Sequence, residues 1–277
     1  MAYLGFNGFR LSISWTRIVP TGKRSDGVNE AGITYYKELL EELKKQGMEP
    51  FVTLFHWDVP QALEDEYGGF LNSRIIDDFR DYVDICFDRL GKYVKYWITF
   101  NEPYEFITFG YIDGVSPPVN LEDPGINPYI VAHNLLRAHA AAVDLYRNNY
   151  QRSQGEQIGQ IGITLSRKWM KALSPDKRTD VDAAARATDF TFGWCIGHCT
   201  TLEMMKIQTG SEWIYLYASG IRDVLKSIKE KYHGPVIYIT ENGIGEHSSS
   251  TMDKSIHDFQ RITALNDHLY YIYMAMK

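Results

Sequence analysis

Two glutamates at the ends of apolar runs carry the most chemical content in this chain. Glu102 closes the run Tyr96-Trp97-Ile98-Thr99-Phe100-Asn101 and is followed by Pro103, while Glu241 follows Ile237-Tyr238-Ile239-Thr240 and precedes Asn242-Gly243. Both runs are β-branched or aromatic and of strand length. Two carboxylates delivered to the mouths of buried strands form a pair that can work on one bond, and glycoside hydrolysis most simply needs such a pair. Taken singly, each would read as a solvated surface carboxylate. Other suggestive residues also follow strand signals: Ser14-Trp15, His56-Trp57 and Asn101. Arg10 lies inside a strand signal, where an ion pair is the plain reading, and His56 alone would pass for an ordinary hydrogen-bonding residue.

The elements that must position these groups alternate. Strand signals cover Gly8 to Ser14, Pro50 to His56, Val94 to Phe100, Ile158 to Leu165 and Pro235 to Thr240. Between them lie amphipathic helical patterns. One starts near Asn29, with Ile33, Tyr36, Leu39, Leu40 and Leu43 on one face and Gly47 as its stop. A second starts near Asn72 or Ser73, carries Ile76, Phe79, Val83, Phe87 and Leu90, and ends at Gly91. A third starts at Asn127-Pro128, a cap followed by proline, and runs towards Tyr150. His133 and His139 within it read as packing residues. Further helices are predicted near 177–192, 220–232 and from about Asp253. Alternation of this kind argues for a parallel sheet, because each return crossover needs a helix. In 193–219 only Trp213 to Tyr217 offers a strand candidate.

With 277 residues the chain can bury one large core, and a (β/α)8 barrel typically takes about 250. The expectation is one domain over residues 1–277. Net charge is −6 and the basic residues are dispersed, which disfavours a nucleic-acid partner. No apolar run is long enough for a membrane span. The start, Met1 to Phe9, shows no basic region followed by a long apolar one, so no signal peptide is visible and an intracellular location is expected. The three cysteines, Cys86, Cys195 and Cys199, are too few and odd in number for a disulfide framework. Cys195, His198 and Cys199 suggest a metal knuckle but lack a second ligand cluster, so small buried thiols and no metal are expected.

Four ordered motifs then resemble the family 1 glycoside hydrolases. They are Phe9-Arg10-Leu11-Ser12-Ile13-Ser14-Trp15-Thr16-Arg17, Phe55-His56-Trp57-Asp58-Val59-Pro60-Gln61, Thr99-Phe100-Asn101-Glu102-Pro103 and Ile239-Thr240-Glu241-Asn242-Gly243. The stretches 62–71 and 128–146 also resemble plant β-glucosidases. The resemblance implies a TIM barrel that hydrolyses β-D-glucosides with retention. It implies Glu102 as acid/base, Glu241 as nucleophile, His56 and Asn101 on sugar hydroxyls, Trp57 in the sugar pocket, and Arg10 orienting the nucleophile. No cofactor is implied, because two carboxylates and water suffice. Retention requires the carboxyl groups to sit about 5–5.5 Å apart. A nearby guanidinium favours an ionised nucleophile, and that anion in turn favours a protonated acid.

Against the family pattern the chain resembles a truncated or alternatively spliced member. It starts near the second barrel strand and stops after the helix that follows the nucleophile strand. Family text between Phe192-Gly193-Trp194 and Gly210-Ser211-Glu212-Trp213, including one strand, has no counterpart. The expected fold is therefore an incomplete α/β TIM-type barrel with strands resembling barrel strands 2, 3, 4, 5 and 7. Two functions follow as expectations: a β-glucosidase, or an inactive isoform that associates with full-length relatives. A homo-oligomer is a further possible state.

Overall fold

The computed structural model describes residues 2–151, 158–166, 170, 172–191, 200–203, 217–245, 252 and 256–277. Packing separates the chain into two compact units, Met1–Thr164 and Leu165–Lys277, where the sequence reading treats residues 1–277 as one domain.

In the first unit, β1 (Gly8–Ser12), β2 (Glu49–Phe55), β3 (Tyr96–Asn101) and β4 (Gln160–Ser166, whose last two residues belong to the second unit) lie side by side. All pair in parallel, with Arg10 opposite Phe51, Thr53 opposite Ile98 and Phe55 opposite Phe100. The β3–β4 register shifts between Ile98 and Asn101, so Asn101 comes opposite Thr164. Such a bulge re-aims the side chains beyond it.

The crossovers are helical. After the short α1 (Trp15–Ile18), α2 (Glu30–Lys45) buries Ile33, Tyr36, Leu40 and Leu43. It ends at Gly47, whose φ of 72° suits glycine. The amide of Gly47 bonds to the Lys44 carbonyl and that of Met48 to the Leu43 carbonyl, a Schellman closure. α3 (Gln61–Tyr67) precedes α4 (Ile75–Leu90), which buries Phe79, Tyr82, Val83 and Phe87. α5 (Pro103–Tyr111), which the sequence reading did not single out, follows β3 directly. α6 (Asn127–Leu145) begins one residue earlier than a cap at Asn127 would put it. Asp123 is the reason, since its Oδ1 accepts from the amides of Gly125 and Ile126, both at 3.2 Å. His133 is exposed on α6 and so is not a packing residue. His139 reaches Thr99 on β3 at 2.8 Å.

The core of this unit is aromatic. Phe79 stacks on Phe100 at 4.6 Å, Phe55 meets Phe70, Phe100 and Phe106 edge-on at 5.4 Å, and Trp15 stacks on Tyr82 at 5.1 Å. Each such ring is worth roughly 1.5–3 kcal/mol on burial. Cys86 is a free buried thiol whose pKa burial pushes up.

In the second unit, Leu165 and Ser166 pair with Leu202 and Glu203 of β5 (Thr200–Glu203), while Thr200 and Thr201 pair with β6 (Ile237–Tyr238). β5 is a strand that the sequence reading did not foresee in 193–219. Four residues carry too little local signal, and the strand exists through its two non-local partners. Of the expected strand at Trp213 to Tyr217, residues 213–216 lie outside the described residues, as do Cys195, His198 and Cys199. The helices are α7 (Arg178–Thr191), α8 (Ser219–Lys231) and α9 (Phe259–Met276). α8 buries Ile221, Val224 and Ile228, and α9 buries Ala264 and His268. No helix among the described residues is long and apolar enough to cross a membrane.

Candidate active site

Parallel pairing brings the C-terminal ends of β1, β2 and β3 to one edge of the first unit's sheet, and five of the residues singled out in the sequence, Arg10, His56, Trp57, Asn101 and Glu102, lie on or just beyond these strands. Arg10 on β1 crosses β2, where its Nε donates to Thr53 Oγ1 at 3.4 Å, and its Nη2 donates to Asn101 Oδ1 at the end of β3. A guanidinium donor makes the second bond a charge-assisted one. With Oδ1 turned to Arg10, the amide hydrogens on Nδ2 are the donors Asn101 has left to offer. Asn101 is 1% exposed. Its carbonyl also accepts from the indole Nε1 of Trp57 at 2.8 Å, which ties the end of β2 to the end of β3.

Both residues flanking that bond hold left-handed backbone. Trp57 has φ 71° and Glu102 has φ 44° and ψ 62°. For non-glycine residues each such conformation costs of order 1–3 kcal/mol, and such positions cluster at functional sites. Glu102 is held there from both sides. Its amide donates to the Thr164 carbonyl at 2.9 Å, and its own carbonyl accepts from Phe106 at 3.0 Å as α5 begins with Pro103. Its side chain is buried.

The Trp57 ring packs 5.9 Å from Phe109 and 6.4 Å from Phe106. His56 is exposed, with its ring 6.1 Å from that of Trp57. Its backbone amide donates to Asp58 Oδ1 at 3.3 Å. Asp58 is a residue that the sequence reading passed over. Burial raises its pKa, partly offset by hydrogen bonds from the Ser14 hydroxyl and from the amides of His56 and Trp15. It therefore pins the loop after β1 to the loop after β2. Thr99 was missed as well: its hydroxyl donates to the Gly162 carbonyl at 3.1 Å, so it must accept from Nδ1–H of His139.

Glu241 belongs to the second unit. It follows β6 and is half-buried, and Asn242 beside it is exposed. Asn242 Oδ1 lies 2.7 Å from Nδ1 of His268, which projects from α9 and is 2% exposed. Burial lowers the His268 pKa, against a weaker upward pull from Asp267. Asn242, Gly243, Arg261, Leu265 and His268 help to line a cavity of about 260 Å3. Among the described residues no three His, Cys, Asp or Glu side chains are grouped to hold a metal ion.

Comparison with known proteins gives this arrangement a family. The description "Glycosyl hydrolase family 1" matches residues 1–203 and 198–277, two stretches that overlap at 198–203. The chain is 38% identical to β-glucosidase 24 of Oryza sativa subsp. japonica, over all of this chain and 70% of that protein. It is 35% identical to raucaffricine-O-β-D-glucosidase of Rauvolfia serpentina, over 99% of this chain and 68% of that one. The first alignment spans 358 positions although this chain has 277 residues, so the relative carries residues with no counterpart here. Among solved structures, the rice β-glucosidase Os3BGlu6 superposes with a TM-score of 0.94 at 30% identity, covering 100% of this chain and 74% of that one. A variant of the same rice enzyme, solved in a covalent complex with Glc, gives 0.92. The fold is thus a partial TIM barrel of that group, and the chain belongs to glycosyl hydrolase family 1.

Proposed function

We propose that this chain hydrolyses O-β-D-glucosides with retention, with Glu102 as acid/base and Glu241 as nucleophile. The observation that carries the reading is the buried Glu102, held in left-handed backbone at the end of β3 beside an Asn101 already locked by Arg10. In the first step Glu241 attacks the anomeric carbon while Glu102 gives its proton to the departing glycosidic oxygen. In the second, Glu102 takes a proton from water, which attacks the same carbon and releases Glu241. The Nδ2 donors of Asn101 suit the sugar 2-hydroxyl, where hydrogen bonds strengthen in the transition state. Trp57 offers a ring face to the sugar, and His56 offers a polar edge. Arg10 keeps Asn101 in register and adds positive charge for the anionic nucleophile.

The test is hydrolysis of an aryl β-glucoside in the presence of azide. Glu241→Ala is expected to yield the α-glucosyl azide, because azide attacks directly on the face the nucleophile has vacated. Glu102→Ala is expected to yield the β-azide from a glucosyl-enzyme formed with a good leaving group. Wild-type turnover no higher than that of Glu241→Gln sinks the proposal.

An apolar stripe on α9 favours a second reading, association with a full-length relative. Phe259, Ile262, Leu265, Leu269, Tyr273 and Met276 recur at helical spacing and are all exposed. Light scattering of the chain mixed with rice β-glucosidase 24 tests it, and two unshifted masses count against it.

A further inference from the structure

We infer that His268 is a positioning residue for the Glu241 loop: its Nδ1–H holds the side-chain carbonyl of Asn242 and so fixes the backbone from which Glu241 projects. The inference rests on the reading of Glu241 as nucleophile.

β6 is only two residues long, Ile237–Tyr238, and residues 239–245 have no regular secondary structure. Among the described residues the β5–β6 pairing ends at Tyr238. The Asn242–His268 bond, at 2.7 Å, reaches the position next to Glu241. An amide oxygen can only accept, so the proton of that bond is on Nδ1, which fixes the tautomer of the ring. The support behind the ring is firm. His268 and Ala264 lie four residues apart on one face of α9, both buried, and α9 packs on α8. Burial also opposes charging of the ring, whose Nε2 is enclosed without a hydrogen-bond partner among the described residues. A neutral ring with one committed donor is a fixed post. Attack at an anomeric carbon tolerates little misplacement, since an error of about 1 Å can cost roughly 10²-fold in rate.

The test compares the full chain with His268→Leu, which removes the donor, and His268→Asn, whose Nδ2 can stand where Nδ1 stood. In wild type, 15N spectra of the imidazole are expected to show a pyrrole-like Nδ1. A pyridine-like Nδ1 overturns the inference, because Asn242 would then be the donor. His268→Leu is expected to lower kcat about 10²-fold with KM nearly unchanged, and His268→Asn to recover most of that loss. Equal losses in both variants, or a change confined to KM, mark His268 as a packing residue and overturn the inference. If wild type itself fails to turn over, the functional reading has failed, and amide exchange decides the tether separately. Faster exchange at 241–243 in His268→Leu than in His268→Asn supports it, and equal exchange rejects it.

Discussion

Glu102 has a carboxylate that the chemistry needs on a backbone that its residue type disfavours. Its φ of 44° falls in the left-handed region, which glycine enters freely. Substituting Glu102→Gly therefore separates stability from function. The variant is expected to unfold at an equal or higher urea concentration, gaining up to about 1 kcal/mol. It should also lose about 10²- to 10⁴-fold in turnover of substrates with poor leaving groups, the usual contribution of a general acid. A clear fall in the urea midpoint would show that the side chain, rather than the backbone, dominates this position. His268 supplies a pH-dependent counterpart. Burial puts its folded pKa below the ordinary 6.5. As pH falls, the unfolded chain takes up the proton first, so the stabilising contribution is complete above about pH 6.5 and is lost on the way down to the lower folded value. Between about pH 7.5 and 5.5 the urea stability of wild type should fall more than that of His268→Asn. Parallel profiles would contradict the assignment.

At the scale of the elements, close approach of backbones decides several positions. In α2, a β-carbon on Gly32 would meet the Arg17 carbonyl oxygen at 2.0 Å. Gly32→Ala must push α2 away from α1, an overpacking cost of roughly 1–3 kcal/mol, read as a lowered urea midpoint with an unchanged slope. A wild-type midpoint would mean that the two helices can separate freely. The same elements show what a sequence conveys. α2 and α4 were legible because long apolar periodicity and a terminal glycine are local signals. Asn101, Glu102, Trp57 and Arg10 were legible because they sit at strand ends in a recognisable order. β5 was not legible, since Thr200–Glu203 becomes a strand only through Leu165, Ser166, Ile237 and Tyr238. Asp58, Thr99 and His268 escaped for the same reason: each is defined by a partner distant in sequence. His268 did leave one trace, a polar residue four positions from Ala264 on an otherwise core-facing line of α9.

For the molecule as a whole, the question is whether the chain works alone. The α9 stripe is large for a surface at peace with water: Phe259 is 71% exposed, Leu269 61% and Met276 80%. Full burial of such side chains yields roughly 1.5–3 kcal/mol each, so six of them supply on the order of 10 kcal/mol gross. Association itself costs an estimated 4–15 kcal/mol. The remainder is about 6 kcal/mol at most, which corresponds to contacts that form at tens of micromolar and above. The chain, of 31.9 kDa, is therefore expected to show a concentration-dependent mass in light scattering, or to join a full-length relative when one is supplied. Leu269→Lys with Tyr273→Lys puts charge in the middle of the stripe, and it should return the mass to that of one chain and abolish co-assembly. Because neither residue is placed in the glucoside site, the pair also separates two roles for association. If turnover survives in the double variant at concentrations where wild type associates, the chain hydrolyses unaided and association is incidental. Turnover that disappears along with the larger mass would make assembly part of how the site is completed. A single-chain mass for wild type at every concentration, with no co-assembly, would leave the stripe as exposed apolar surface without a partner and remove the second reading.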